Sequence, residues 1–180
     1  RPQQLVQALV ATFGDEGLHK LLRAYGEGLE TDAAMKKAIG VDLAGMQAGY
    51  DRRMDEKYGK LRAALKTPPE GVDLPKMPLD ELKAYVAKDE GNYISQMALG
   101  VQLQRVGDLE GAASAFRKAS ALVPIAVGDD SPNAMLARLS QRQRDTPGAI
   151  QALQAQVNVD FNNVDAARQL ATLLRDNGVT

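Results

Sequence analysis

The stretch YISQMALGVQLQRVGDLEGAASAFRKASALVP, Tyr93 to Pro124, decides the fold. Leu99, Leu103, Phe116 and Ala119 recur at helical spacing on either side of Gly107-Asp108. Gly107 suits the left-handed conformation that ends a helix, and Asp108 suits the cap that begins the next. Pro124 has no N–H and stops the second helix. Gly100 and Ala112 are small residues expected to face each other where the two helices cross, letting the axes approach toward the short end of ~8–10 Å. The segment therefore reads as an antiparallel helical hairpin.

The same pattern returns downstream. Leu136-Ala137, Ala149 and Leu153 repeat Leu99-Gly100, Ala112 and Phe116 after 37 residues, and Leu170-Ala171, Leu174 and Gly178 repeat Leu136-Ala137, Ser140 and Arg144 after 34. The three extra residues fit the polar stretch Gly128 to Ser131 before Pro132, good material for a longer turn. The second copy is degraded, with Ser140 at an apolar position, Arg144 where glycine stood and Gln156 where alanine stood. On these residues the segment resembles the tetratricopeptide repeat, a helix pair of about 34 residues that stacks into a solenoid. The resemblance implies an array that binds proteins or peptides rather than one that does chemistry.

Composition agrees with an all-α chain. Aromatic residues are 4% and Trp is absent, while Ala, Leu, Gln and Arg abound; no alternating β-branched run suggests a strand. A net charge of −1 gives no electrostatic case for nucleic acid. No run of ~18 apolar residues is present to cross a bilayer. With no cysteine there is neither a disulfide nor a thiolate metal site.

Residues 1–66 read as a separate helical bundle. Leu5, Val6, Leu9, Val10 and Phe13 share one helical face ended by Gly14, and Leu18, Leu21, Leu22 and Tyr25 mark a second helix ended by Gly26 and Gly28. Thr31 is placed to cap a third helix stopping at Gly40, and Asp42 to cap a long fourth carrying Leu43, Met46, Tyr50, Met54, Leu61 and Leu65. The run Phe13-Gly14-Asp15-Glu16, Leu18, Leu21 to Tyr25, Gly28, Thr31, Ala34, Ala38 to Val41 and Tyr50 is similar to the C-terminal helices of peptidase MA-like (gluzincin) zinc metallopeptidase domains, which bacterial proteins fuse to tetratricopeptide repeats. That resemblance implies a parent protein with a His-Glu-x-x-His helix upstream and a place in the cell envelope. It also implies a piece of a longer protein, in keeping with a start at Arg1-Pro2 and an end after the first helix of a third repeat. No metal ligand or catalytic residue of that family carries over, because His19 is the single histidine. Glu16 and Arg23 stand one turn from His19, as on an ordinary charged helix surface.

Other chemical signals are thin. Asp15-Glu16, Asp55-Glu56 and Asp89-Glu90 suit helix ends, Tyr25-Gly26-Glu27-Gly28 follows a helix rather than a strand, and no nucleophile elbow is present. Neither a catalytic residue, a metal nor a cofactor is expected in this chain.

Between the units, Thr67 to Pro78 contains Pro68, Pro69, Pro75 and Pro78 with Gly71, and is expected to be an extended linker over 67–78. The array then spans 79–180, with residues 79–92 as a capping helix and repeats near 93–126, 130–163 and, in part, 164–180. In the resembling family the first helix of each unit lines the concave groove. That implies a site at Met97, Val101, Gln104 and Arg105, continuing through Arg138, Gln141 and Arg142 to Arg168, Thr172 and Arg175. Such a groove is apolar at one end and arginine-rich at the other, so an acidic peptide is the expected ligand. Asp145, Asp165 and Asp176 are close enough in sequence to pair with the same arginines, which would leave only a solvated face. Three functions follow: a protein-interaction module, the non-catalytic end of a zinc metallopeptidase, or a scaffold that self-associates through its exposed third-repeat helix.

Overall fold

The computed structural model describes residues 2–178, with side chains from Val10 onward. The described residues form helices and turns with no strand. The helices are α1 (Pro2–Gly26), α2 (Thr31–Ile39), α3 (Leu43–Ala64), α4 (Leu79–Lys88), α5 (Tyr93–Arg105), α6 (Leu109–Leu122), α7 (Pro132–Gln143), α8 (Thr146–Val159) and α9 (Val164–Asp176). A 3-10 turn covers Leu74–Lys76. Packing divides the chain after Lys60, inside α3, so the proline segment belongs to the second unit.

In the first unit, Gly14 breaks α1 into two helices by taking φ 67 and ψ 179, a conformation open essentially to glycine alone. The core is Leu21 and Ala24 of α1 against Ala34 and Met35 of α2, with Phe13, Leu18, Ile39 and Met46 around it. Leu22 and Tyr25, which with Leu18 and Leu21 marked this helix in the sequence, are exposed. The apolar face assigned to Leu5, Val6 and Leu9 lies outside the described side chains. Asp42 caps α3 by accepting the Gly45 N–H at 2.8 Å. Thr31 does not cap α2: Glu30 holds the cap position, without a side-chain bond, and Thr31 is the first helical residue. Gly40 closes α2 at φ 77.

The second unit is a succession of helices in which α4 to α9 each pack on the next. The starts of α5 to α9 are closed by one device. Asn92, Asp108, Ser131, Asp145 and Asn163 each accept the backbone N–H three residues on. Each such cap satisfies an orphan amide and contributes about 1 kcal/mol. The helix ends match too. Asp108 N–H donates to Leu103 C=O and, 37 residues later, Asp145 N–H donates to Ser140 C=O. Between them Gly107 and Arg144 occupy the same left-handed position, at φ 85 and φ 59. The hairpin α5–α6 and the hairpin α7–α8 are thus closed by the same turn.

Small residues lie at the helix crossing, and an aromatic ring fills the space between them. A Cβ on Gly100 would stand 2.5 Å from Cε1 of the Phe116 ring, the nearest side chain to it. Phe116 and Ala112 are both fully buried. Replacing Gly100 by Ala should lower stability by about 1–3 kcal/mol through overpacking. Combining Gly100→Ala with Phe116→Leu should cost less than the sum of the single changes, because the smaller side chain vacates the contested space. Thermal unfolding of the four proteins checks this; strict additivity would mean the two residues do not meet.

Arg144 carries a side chain in a conformation that glycine adopts freely. The guanidinium makes no hydrogen bond or ion pair among the described residues. Arg144→Gly should therefore raise stability by up to about 1 kcal/mol, the relief of left-handed strain exceeding the added freedom of the unfolded chain. The shift in the urea midpoint measures it.

Candidate functional site

A groove of about 750 Å3 in the second unit runs between α5 and the proline segment. One wall is Ile94, Met97, Ala98, Val101, Gln102 and Arg105, an α5 face at helical spacing. The other is a strap of Pro68, Gly71, Val72, Asp73, Leu74 and Pro75. The expected free linker is instead packed backbone. Leu74 is buried beside Leu82 and Val86 of α4, with Val72 and Met77 against the same cluster.

Two side chains of α5 and its cap hold the strap. Gln102 Nε2 lies 2.8 Å from the Met77 carbonyl, 3.2 Å from that of Pro75 and 3.3 Å from that of Leu74. Asn92 Nδ2 donates to the Lys66 carbonyl at 2.7 Å. The Leu74 carbonyl also accepts the Met77 N–H at 3.3 Å, while those of Pro75 and Met77 take their donor from Gln102. Asp73, on the groove, is tied to Lys76 at 2.6 Å. That hydrogen bond and its charge hold the Asp73 carboxyl below, and the Lys76 ammonium above, their ordinary ranges.

The structure brings together only part of the expected site. Met97, Val101 and Arg105 line this groove, while Gln104 does not. Arg138 lines a separate polar hollow of about 280 Å3 with Asp129, Asp165 and Gln169. There it is folded onto the preceding loop, donating to the Asp129 carbonyl and lying 3.5 Å from the Asp130 carboxylate. Gln141 donates to Gln169 at 3.3 Å. Arg168 pairs with Asp165 at 3.1 Å and Arg175 with Asp176 at 3.0 Å, all at exposed side chains. Arg142 and Thr172 are exposed and line neither hollow. The expected row of unpaired arginines is therefore not present.

The residues missed from the sequence are the strap and its clamp. Val72 and Leu74, two apolar residues inside a proline run, were the available signal, since a solvated spacer has no use for them. In the first unit His19 is exposed on α1, and Glu16 pairs with Lys20 at 3.4 Å. No three His, Asp or Glu residues converge as a metal site among the described residues. No described helix is long and apolar enough to cross a membrane. No family model, curated protein or solved structure matches this chain.

Removing the clamp should loosen the strap before it loosens the helices. Gln102→Ala should cost about 1–2 kcal/mol, because the Pro75 and Met77 carbonyls lose their side-chain donor. It should also speed hydrogen exchange at the Lys76 and Met77 amides, which donate to Asp73 C=O. Unchanged exchange at these two amides would show that the strap holds itself.

Proposed function

We propose that this chain is a protein-interaction module, a tetratricopeptide-like array without a catalytic role of its own, that takes an extended apolar peptide segment in the α5–strap groove. The observation that carries this is the groove's composition and construction. Two hydrogen-bonded walls present Val72, Pro75, Ile94, Met97 and Val101 to one open channel. A channel of this size accommodates a few side chains of an extended segment, and apolar contact contributes roughly 25 cal/mol per Å2 buried. Met97, with its unbranched thioether, adapts to more than one side-chain shape.

The pairing of Arg138, Arg168 and Arg175 with acids favours an apolar ligand over an acidic one. Exposed pairs of this kind contribute ~0.2–1 kcal/mol each and weaken with salt. Fluorescence anisotropy with labelled extended peptides tests the proposal. An apolar peptide should bind with little change in affinity as salt rises from about 0.05 to about 0.5 M. Met97→Asp with Val101→Asp should abolish binding, whereas Arg138→Ala with Arg142→Ala should leave it within about twofold. Loss of binding in the arginine variant alone would transfer the site to the polar end and sink this assignment.

A further inference from the structure

The α5–strap groove has a direction. Asn92, the cap of α5, holds the strap at Lys66, and Gln102 on the same helix holds it at Pro75 and Met77, so strap and helix run the same way. The α5 wall extends from Ile94 to Arg105. That separation covers roughly 16 Å of helix, the length of about five residues of extended chain. Charge on the two walls is confined to Asp73 and Arg105. Asp73 is neutralised by Lys76. Arg105 is exposed and makes no hydrogen bond or ion pair among the described residues. The nearest acid along the chain, Asp108, is committed to the cap of α6 through the Gly111 N–H. Standing in the last turn of α5, Arg105 complements the helix dipole, a role that leaves its N–H donors open. The groove therefore ends on one uncompensated guanidinium, whereas Arg138, Arg168 and Arg175 are each held by an acid.

We propose that the groove takes its ligand in one direction, as an extended apolar segment carrying a side-chain carboxylate at the Arg105 end. This rests on the reading of the groove as a peptide site and names what sets the peptide's register. Apolar contact along Ile94, Met97 and Val101 supplies the affinity. The guanidinium supplies the orientation, because its planar fork matches a carboxylate through two parallel N–H···O bonds. The same carboxylate placed at the Ile94 end finds no charged partner there on either wall and loses water without compensation. A lysine at the Arg105 end sets cation against cation.

Labelled peptides with acetylated and amidated ends, all sharing one short apolar core, test this against the intact chain by fluorescence anisotropy. One carries glutamine at both flanks; the others carry glutamate or lysine at one flank, each flank in turn. At one flank only, glutamate should bind roughly two- to fivefold more tightly than glutamine, and lysine more weakly, with the difference shrinking as salt rises. Arg105→Glu should reverse that order and Arg105→Gln should erase it, with circular dichroism checking that both variants keep their helices. A glutamine peptide that binds, with no preference between glutamate and lysine at either flank, overturns the proposal and leaves the groove reading standing. So does a preference that survives Arg105→Gln, or one that is equal at both flanks. A glutamine peptide that fails to bind removes the groove reading itself, and this proposal with it.

Discussion

Helices of 13 and 14 residues such as α5 and α6 are marginal on their own in water, so the second unit depends on how each pair is closed into a hairpin. The closure is a three-residue device. A left-handed residue reverses the chain, the next residue's N–H returns to the carbonyl five back, and that same residue's carboxylate caps the following helix. Asp108 and Asp145 therefore each satisfy both ends of a turn. With the turn fixed, the helices have one register in which to meet, and Gly100 lies under the Phe116 ring. The core of α5 to α7 is the consequence of that geometry.

The groove is built on the same hairpin. Because α5 is held from one side by α6, its other face is free to take the strap, and Gln102 converts a proline-rich segment into a wall. The wall is mostly side chain and carbonyl rather than amide, which leaves few backbone donors for a ligand. Recognition there rests on shape and apolar contact. The polar chemistry of the unit sits elsewhere, around Arg138, where acids and guanidinium neutralise one another.

The helices were legible because their boundaries are encoded by single residues with strong local preferences. Asp108, Asp42, Gly107 and Gly40 act where they stand, and reading them needs no knowledge of distant contacts; Ser131 and Asp145 cap helices in the same way without having been read as caps. Thr31 misled because Glu30, with no side-chain bond to offer, takes the cap position ahead of it. What sequence could not supply was rotation about the helix axis. It put small residues at the crossing and matched Gly100 to Ala112, one turn from Phe116 on the same buried face of α6, but spacing alone does not say that the Phe116 ring reaches Gly100 first. The strap escaped for a related reason. Proline predicts extension correctly in the sense of non-helical backbone, yet whether such backbone is solvated or packed depends on Gln102, about 25 to 28 residues away. The arginine row left two readings open in sequence, and Arg168 and Arg175 follow the one in which their sequence neighbours Asp165 and Asp176 pair them.

The order of contacts along the second unit has a mechanical corollary. Each helix leans chiefly on its two neighbours in sequence, so no long-range tie locks the first helix of the array to the last. Stability in such a chain is a sum of local terms joined by nearest-neighbour interfaces, as in a one-dimensional lattice. Unfolding then has no single threshold. It advances as a front from whichever end has the weaker interface. Any ligand held at α5 would stiffen the stretch around α5 and leave the opposite end to open on its own schedule.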